Sequence, residues 1–486
     1  MSISVDRKPL TFNPDSKRVV ARFFQSGEAR SVKMINKILT YTPDKVNDIL
    51  NETFEHFKGR HRNLSKIFQQ HCGNFENLME RMGIDYHELT DQQKMLIGAY
   101  STMEYSIESA ALFNPSIIED LDQSFLKKGE KRVILSFRAT GEGHLSSIVF
   151  RRGVLDAHNQ LHMMKVKNHV DLPEVGSKMS YDKGRFITKM EEMHISKRYT
   201  QDIINSLGDK FEYYDLKNSV NKILEQNMLD DSKRLALEEL TWLVDSYYDL
   251  SFHAESDISE RVIFPNSPAE VKGIEDARFV RFMDDDDSEI VYATYTAYNG
   301  YTIIPKLLST QDFQDFRIMP IHGTAAQNKN FALFPRKIKG KYATLARIDG
   351  MNNYIIYSDR VTLWNDPIKI QTPEFSWDLT QIGNCGSPIE TDEGWLVLTH
   401  GVGPMRRYCI AASLFDLDDP TKEIGRLKEP LLSPLEEERE GYVPNVVYSC
   451  GGMIHNGELI LPYAVSDYSS SYATVNLKDL LRELKK

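Results

Sequence analysis

The stretch Gly273-Ile274-Glu275-Asp276-Ala277-Arg278 begins the part of the chain that decides the fold. It places two carboxylates beside a guanidinium, directly before the apolar run Phe279-Val280-Arg281-Phe282. The turn-forming run Asp284–Asp287 follows, and then the segments Glu289–Tyr295 and Tyr301–Leu308. Aromatic and β-branched residues in alternation, separated by turn residues, are typical of antiparallel strands. We therefore predict a three-stranded meander with a charged cluster at its inner end, where the first strand begins.

Similar β units recur along the chain and start roughly 50–60 residues apart, a spacing typical of propeller blades. The predicted strands of these units are Arg132–Ala139, Ser146–Phe150, Phe331–Phe334, Lys341–Ala346, Tyr354–Tyr357, Ser387–Glu390, Trp395–Thr399, Tyr408–Leu414, Val446–Ser449, Glu458–Tyr463 and Tyr472–Val475. Radial repetition of small antiparallel sheets leaves only short protected edges. The sequence thus predicts an all-β core, a five-bladed β-propeller, in a catalytic domain of residues 96–486.

Two regions carry helical rather than strand periodicity. The first runs from about Val32 to Met95 and has Thr42-Pro43-Asp44 as a start signal, and the second covers Tyr199–Tyr248. We predict a helical N-terminal extension, residues 1–95, and a helical insertion at about 190–255. Both regions could simply pack outside the propeller. Alternatively, one of them makes a homo-oligomer contact or walls off the acceptor side of the site.

Composition limits the functional classes. The chain has 486 residues and a formal net charge of −11, with no basic stripe that would bind nucleic acid. No run of about 18 apolar residues is present, and the start of the sequence shows no apolar signal region, so we expect neither membrane insertion nor export. The four cysteines lack CxxC or metal-ligand spacing. We therefore expect a cytoplasmic protein with reduced cysteines and no metal.

A set of short motifs in a fixed order resembles glycoside hydrolase family 130, over roughly Ala111 to Asp467. The motifs are Phe113-Asn114-Pro115, Arg138, Glu275-Asp276-x-Arg278, Leu333-Phe334-Pro335, Gly394-Trp395-Leu396, His400-Gly401, Gly441-x-x-x-Asn445 and Asp467. The family consists of five-bladed propellers that cleave β-mannosides, mostly by phosphorolysis and in a few members by hydrolysis. The resemblance therefore implies an enzyme of carbohydrate metabolism, with a β-mannoside oligosaccharide and phosphate as its partners.

The resemblance assigns the proton donor to Asp276. A poor alkoxide leaving group needs a proton, and in the family the single acid delivers it through the 3-hydroxyl of the sugar. Glu275 as a like charge raises the pKa of Asp276, whereas Arg278 lowers it. Without the other motifs, a structural Asp–Arg pair that caps a blade end would be the favoured interpretation.

Phosphate binding requires cationic and polar donors on the face opposite the leaving group. The resemblance places Lys329, Asn330, Arg347 and His400 there, with Tyr408 as an extra hydroxyl donor. No cofactor is implied, because inorganic phosphate is a co-substrate. Taken singly, each residue has a structural alternative, such as a solvated loop lysine or a hydrogen-bonded histidine at a blade end.

Recognition of the mannosyl ring is assigned by the same resemblance to Asn114, Arg138 and Asp467, beside Glu275 and Arg278. Asn114 precedes a proline, which predicts an extended backbone and an amide free to meet sugar hydroxyls. Turn formation is the structural alternative for Asn114 and for Asp467.

Two departures from the family pattern bear on the chemistry. Ala277 stands where family members usually have proline, and Gln381 lies near a position at which phosphorylases tend to carry lysine. Loss of a cation that contacts phosphate weakens binding by about 1–3 kcal/mol. A hydrolase would need a second carboxylate to hold water, for which Glu438 and Glu440 are the candidates.

Three functions therefore remain open from the sequence. An inverting β-mannoside phosphorylase that releases mannose 1-phosphate ranks first, and an inverting β-mannosidase on the same scaffold ranks second. A non-catalytic sugar-binding propeller ranks third, since a fold alone does not determine a function.

Overall fold

The computed structural model describes residues 3–176, 180–192, 195–224 and 230–486. Parts of the predicted helical ranges, residues 1–2 of the extension and 193–194 and 225–229 of the insertion, lie outside the described residues. The chain forms two compact units. One comprises Met1–Pro14, Ala110–Val166 and Leu172–Lys486, and the other comprises Asp15–Ser109 and Lys167–Asp171.

The strands belong for the most part to the larger unit. In chain order they are β1 (Val5–Phe12), β2 (Val19–Phe23), β3 (Thr102–Ser106), β4 (Ala111–Glu119), β5 (Lys131–Thr140), β6 (Ser146–Leu155), β7 (Leu161–Met163), β8 (Glu174–Gly176), β9 (Ser180–Asp182), β10 (Lys210–Glu212), β11 (Tyr248–Ser251), β12 (Val262–Ile263), β13 (Ile274–Met283), β14 (Glu289–Tyr298) and β15 (Ile303–Thr310). They continue with β16 (Asp315–Pro320), β17 (Lys329–Leu333), β18 (Tyr342–Arg347), β19 (Asn353–Ser358), β20 (Ile368–Gln371), β21 (Gln381–Asn384), β22 (Ile389–Thr391), β23 (Gly394–Val402), β24 (Tyr408–Phe415), β25 (Glu423–Arg426), β26 (Val447–Tyr448), β27 (Met453–His455), β28 (Glu458–Val465) and β29 (Ser469–Asn476).

The helices fall mainly in two regions. They are α1 (Glu28–Leu39), α2 (Pro43–Phe57), α3 (Leu64–Gly73), α4 (Glu76–Arg81), α5 (Asp91–Ala99), α6 (Lys183–Glu192), α7 (Lys197–Ser206), α8 (Tyr213–Leu224), α9 (Asp231–Asp245) and α10 (Leu477–Leu484). Helix α2 begins where the sequence predicts, because Thr42 accepts a hydrogen bond from the backbone N–H of Lys45 and Pro43 occupies the first turn. The helices of the insertion start at Lys183, earlier than about 190.

Five antiparallel sheets dominate the described residues, and the prediction of a β-dominated core is confirmed. Sheet I has the order β12-β6-β5-β4 with β7 on β6, and sheet II the order β13-β14-β15-β16-β11-β8. Sheet III is β17-β18-β19-β20, and sheet IV is β21-β23-β24-β25 with β22 on β23. Sheet V is β1-β29-β28-β26 with β27 on β28. Two further pairs, β2-β3 and β9-β10, stand apart.

Neighbouring sheets of the larger unit contact one another in a cyclic order. Strand β4 contacts β13, β14 contacts β17, β18 contacts β21, β24 contacts β26, and β28 contacts β4. Apolar clusters fill the spaces between the sheets: Phe150 and Phe279 pack together between sheets I and II, and Leu414 and Leu461 belong to one cluster of sheets IV and V. Each such buried side chain contributes roughly 1.5–3 kcal/mol. The contacts bring the edge strands β4, β13 and β17 close to one another.

Strand β1 gives residues 5–12 a different structure from the helical one expected for the range 1–95. It pairs antiparallel with β29, with Val5 opposite Val475 and Phe12 opposite Ser470. Its side chains alternate between more exposed and less exposed positions over much of the strand, a period-2 pattern that suits a sheet edge. The first strand therefore extends the sheet that the last strands of the chain form.

Candidate active site

A polar pocket of about 190 Å³ lies among the five sheets of the larger unit. The residues that line it are Asn114, Arg138, Glu275, Asp276, Lys329, Asn330, Arg347, Gln381, His400, Arg406, Tyr408, Val443, Val446, Tyr448 and Asp467. They come from strands of all five sheets and from the loops next to them. Distant segments of sequence therefore converge on one small, mostly polar space.

Bulges in three edge strands aim side chains at this pocket. In β4, β13 and β17 the pairing register shifts by an irregular step. A residue within each bulge has a left-handed backbone: Asn114 with φ 50°, Asp276 with φ 57° and Asn330 with φ 70°. Non-glycine residues rarely adopt positive φ, and such outliers concentrate at functional sites. The same local device thus positions three pocket residues.

The predicted extended backbone at Asn114 is wrong. Although a following proline disfavours other conformations, the bulge in β4 holds Asn114 at φ 50°. Its Nδ2 donates a hydrogen bond of 2.6 Å to Oδ1 of Asp276. This buried contact and the bulge outweigh the local preference that Pro115 imposes.

Asp276 is a buried carboxylate surrounded by cations. Burial raises its pKa, but Arg138, Arg278 and Lys329 outweigh this effect, and the pKa lies below its usual value. The nearest approach to Arg138 joins Nη1 and Oδ1 at 3.8 Å. Asp276 is therefore ionised at neutral pH.

Glu275 bridges two of these cations. One of its oxygens accepts from Nη2 of Arg138 at 2.8 Å, and the other from Nζ of Lys329 at 2.7 Å. The bridge links sheets I, II and III at the pocket. Lys329 thus has a carboxylate partner within the pocket.

Arg278 does not line the pocket, although the sequence groups it with the substrate-binding residues. Its guanidinium is fully buried and donates to the backbone oxygen of Asp276 at 2.9 Å and to the hydroxyl of Tyr448 at 2.7 Å. These hydrogen bonds stabilise the bulge at Asp276, and the guanidinium adds positive charge to the site.

Arg347 and His400 form the opposite wall. Nη1 of Arg347 lies 3.2 Å from Nε2 of His400, and Nδ1 of His400 lies 3.2 Å from the backbone oxygen of Asn384. The pKa of His400 is well below its usual value, because burial disfavours the charged ring and Arg347 and Arg278 repel it. A Cβ on Gly383 would stand 2.7 Å from Cε1 of His400, so only glycine leaves room for this ring.

Asn330 and Tyr448 connect the two walls. Nδ2 of Asn330 donates to the oxygen of Asn384 at 3.0 Å and lies 3.1 Å from the hydroxyl of Tyr448. The ring of Tyr448 packs edge-on against the ring of His400. The ring of Tyr408 stacks on His400 with an interplanar angle of 13°. The buried Oδ1 of Asn330 has no hydrogen-bond partner among the described residues, so it remains available to a ligand.

Asp467 is the third carboxylate of the pocket. Burial raises its pKa to about 6, and Asp276 and Glu275 add to the increase, while Arg138 and Arg406 oppose it. Arg406 stands in the loop between β23 and β24 with φ 54°. Asp467 itself has φ 51°, just after β28.

The pocket contains every predicted site residue except Arg278. Gln381, which lies near a position at which phosphorylases tend to carry lysine, also lines it. Sequence analysis missed Tyr448, Arg406, Val443 and Val446. The strand prediction Val446–Ser449 contained Tyr448, but an aromatic residue in a strand is typical of a core. The basic pair Arg406-Arg407 between two predicted strands was the available signal for Arg406.

The two candidates for a water-holding carboxylate, Glu438 and Glu440, do not line the pocket. Oε1 of Glu438 accepts from the hydroxyl of Tyr463 at 2.8 Å and lies 3.3 Å from Nε of Arg7, and Oε2 accepts from the N–H of Leu435. Glu440 is exposed. Glu438 therefore has a structural role. Among the residues described, no group of three or more His, Cys, Asp or Glu side chains could hold a metal ion, and no helix there is apolar and long enough to cross a membrane.

Comparisons with known proteins identify relatives of the chain. The model of glycoside hydrolase family 130, described as beta-1,4-mannooligosaccharide phosphorylase, matches residues 244–486. A 1,2-beta-oligomannan phosphorylase of Thermoanaerobacter sp. (strain X514) is 33% identical over 231 residues, covering 46% of this chain and 75% of the relative. A beta-1,2-mannobiose phosphorylase of Listeria innocua is 30% identical over 232 residues, covering 46% of this chain and 63% of the relative.

Among solved structures, the beta-1,2-mannobiose phosphorylase from Listeria innocua in complex with beta-1,2-mannobiose resembles this chain with 22% sequence identity and a TM-score of 0.47. The alignment covers 77% of this chain and 92% of that chain.

Proposed function

The chain belongs to glycoside hydrolase family 130, and we propose that it is an inverting phosphorylase, which cleaves a β-mannoside with inorganic phosphate to give mannose 1-phosphate. Phosphate acts as co-substrate, and its entry into the pocket starts the reaction. The proposal rests on the burial of Arg347 in the pocket without an ion-pair partner among the described residues.

Arg347 is a buried cation without a direct anionic contact among the described residues: burial lowers its pKa, and the carboxylate of Asp276 opposes this only weakly. Arg347 makes no ion pair with the part of the chain that the structure describes, and its side-chain contact is with the neutral ring of His400. Its Nε also has no partner. Burial of an unpaired charge is costly, and guanidinium groups bind phosphate oxygens through paired hydrogen bonds. An anion of the phosphate type supplies the missing partner.

The remaining phosphate contacts follow from the same wall. Asn330, Tyr408 and Gln381 supply uncharged polar groups, and Lys329 supplies a second cation once phosphate competes with Glu275 for its ammonium group. His400 orients Arg347 by accepting a hydrogen bond, and it adds no charge of its own. Phosphate is thus bound by two cations and several dipoles.

Asp276 supplies the proton in this mechanism. A phosphate oxygen attacks the anomeric carbon, the bond from that carbon to the aglycone oxygen breaks, and this oxygen receives a proton that originates on Asp276. Following the family pattern, the proton passes through the sugar 3-hydroxyl. Phosphate beside Arg347 and Lys329 offsets the cations that lower the pKa of Asp276, so its binding favours the protonated acid.

Asn114, Arg138, Glu275 and Asp467 hold the mannosyl ring. Their amide, guanidinium and carboxyl groups surround Asp276 and can bond to several hydroxyls at once. Arg138 also packs over the ring of Phe113, with 5.0 Å from its Cζ to the ring centroid. This packing gives the guanidinium a fixed direction before substrate binds.

We interpret the cyclic order of sheets I to V as a five-bladed β-propeller with the pocket at its centre. The domain boundary near residue 96, the cytoplasmic location and a homo-oligomeric state stay predictions. No observation favours the hydrolase alternative, because Glu438 and Glu440 lie outside the pocket lining.

The test combines product analysis with ligand-induced stability. β-1,2-Mannobiose and β-1,4-mannobiose are incubated with and without phosphate, and mannose 1-phosphate should form only with phosphate. Phosphate at 100 times its dissociation constant should stabilise the protein by about 2.7 kcal/mol. Arg347→Ala should abolish this effect, whereas Arg407→Ala, at an exposed residue outside the pocket lining, should preserve it. Free mannose formed at a rate independent of phosphate would overturn the proposal.

A further inference from the structure

A second cavity lies beside the helical insertion, within the larger unit. Its volume is about 470 Å³, compared with about 190 Å³ for the proposed active site. Four tyrosines line it: Tyr181, Tyr214, Tyr247 and Tyr248. We call it the tyrosine cavity. Cavities of roughly 300–1,000 Å³ with aromatic walls and a few polar groups are typical small-molecule sites.

The polar groups of the tyrosine cavity balance in charge. Lys217 and Asp245 contribute one charge of each sign, and Asn266 also lines the cavity. Asp245 makes no hydrogen bond or ion pair with any residue within the described ranges, and neither does the side chain of Asn266. A carboxylate accepts hydrogen bonds, and an amide both donates and accepts them. This pair suits neighbouring hydroxyl groups on a neutral ligand.

A buried network holds one wall of the cavity in place. The carboxylate of Glu270 is fully buried and accepts from the hydroxyl of Tyr248 at 2.8 Å and from Nζ of Lys306 at 2.9 Å. It also accepts from the backbone N–H groups of Asn266 and Ser267, each at 3.0 Å. Two lining residues, Tyr248 and Asn266, are therefore fixed before any ligand binds, which lowers the entropy cost of binding.

We propose that the tyrosine cavity is a second carbohydrate-binding site, which takes a short neutral oligosaccharide separately from the catalytic pocket. Tyrosine rings offer rigid apolar faces to the C–H faces of sugar rings. The carboxylate of Asp245 and the amide of Asn266 bind sugar hydroxyls. The choice of a β-mannoside as the ligand rests on the proposed function, whereas the saccharide class rests on the cavity itself.

Other ligand classes fit the cavity less well. An anion such as phosphate would meet the carboxylate of Asp245, and Lys306, a buried cation that interacts with this carboxylate, is already paired with Glu270. A purely apolar ligand would bury Asp245 and Asn266 without hydrogen bonds, and burial of an unsatisfied polar group is unfavourable. A neutral polyhydroxylated ligand avoids both penalties.

The test counts binding sites in full-length protein carrying Asp276→Asn, which prevents turnover. Without phosphate, titration calorimetry with β-1,2-mannobiose should find two equivalents per chain. Addition of Asp245→Asn or Tyr214→Ala should remove one equivalent or weaken it at least tenfold. Tyr214 is 56% exposed, so its truncation leaves the fold intact. The matched control Glu238→Gln changes an exposed carboxylate on the same helix, α9, and should keep both equivalents.

The two sites can fail independently in this design. Addition of Arg138→Ala, which disables the catalytic pocket, should leave the equivalent that depends on Asp245. Loss of phosphorolysis together with retained Asp245-dependent binding would reject the proposed function and support the second site. Binding that neither Asp245→Asn nor Tyr214→Ala alters would overturn the inference, whatever the catalytic result.

Discussion

Nη1 of Arg347 donates a hydrogen bond of 3.2 Å to Nε2 of His400. A guanidinium can only donate, so Nε2 carries a lone pair and the ring is neutral with its proton on Nδ1. That proton points to the backbone oxygen of Asn384 at 3.2 Å. The sequence suggested His400 as one of several donors that together neutralise phosphate. The structure instead makes His400 the neutral support that aims the cation of Arg347.

Replacement of His400 should therefore affect phosphate binding through geometry. His400→Leu removes one buried acceptor and should raise the KM for phosphate about tenfold, with a smaller change in the KM for the mannoside. His400→Gln retains an acceptor oxygen and should lose less. The pKa of His400 lies well below 6.5. The ratio of the KM for phosphate in His400→Leu to that in wild type should therefore stay constant from pH 6 to pH 8. Initial rates at several pH values measure it. A ratio that falls as the pH rises through 6.5 would show that His400 is a cation.

Sequence analysis found the residues of the pocket but not the backbone that positions them. Asn114, Asp276 and Asn330 were predicted from motifs, yet their positive φ values depend on bulges between paired strands. Each of these register shifts lies in the pairing of two consecutive strands, β4–β5, β13–β14 and β17–β18, and the pattern within a single strand does not encode it. The extended conformation predicted for Asn114 is wrong for this reason.

The missed residues also have physical explanations. An aromatic residue in a predicted strand, such as Tyr448, is typical of the core, and Tyr448 is indeed buried. Its hydroxyl nevertheless accepts hydrogen bonds from Arg278 and Asn330 at the pocket. Strand β4 escaped prediction because it contains Pro115, and proline argues against a strand unless a bulge is present. The three-stranded meander after Asp276 is confirmed as β13, β14 and β15, whose central side chains are mostly buried on both faces.

Asp276→Asn should lower turnover by about 10²–10⁴-fold, because an amide cannot donate the proton that the leaving oxygen needs. The variant should fold, because the side-chain oxygen that the substitution keeps at position 276 can still accept the hydrogen bond from Nδ2 of Asn114. Steady-state rates on unactivated β-mannobiose measure the effect, and circular dichroism checks the fold. Asp287→Asn, at the exposed turn between β13 and β14, is the matched control and should keep wild-type turnover. Near wild-type turnover in Asp276→Asn would remove this residue from the mechanism.

The raised pKa of Asp467 makes a prediction about stability. Its pKa is about 6 in the folded protein and about 3.9 in an unfolded chain. The neutral form is thus favoured by folding, so its contribution is fully present below pH 3.9 and is lost as the pH rises through 6. Asp467→Asn cannot ionise. Relative to this variant, wild type should lose up to about 2–3 kcal/mol of stability between pH 4.5 and pH 7.5. Urea unfolding at four pH values measures the difference, and a constant difference would contradict the shift.

Gln381 offers a direct test of the phosphate pocket, because it lines the pocket at the position where the family pattern has lysine nearby. Gln381→Lys should tighten phosphate binding, because a third cation near Arg347 and Lys329 attracts the anion. Without phosphate, the new cation is repelled by Arg347 and Lys329. The free protein should accordingly become slightly less stable, and added phosphate should stabilise it more than wild type. Thermal unfolding across a phosphate series measures both effects. Gln327→Lys adds the same charge at an exposed loop position outside the pocket lining and should change neither. An unchanged phosphate affinity in Gln381→Lys would show that this side chain does not face the anion, and the phosphate site would then rest on Arg347, Lys329 and Asn330.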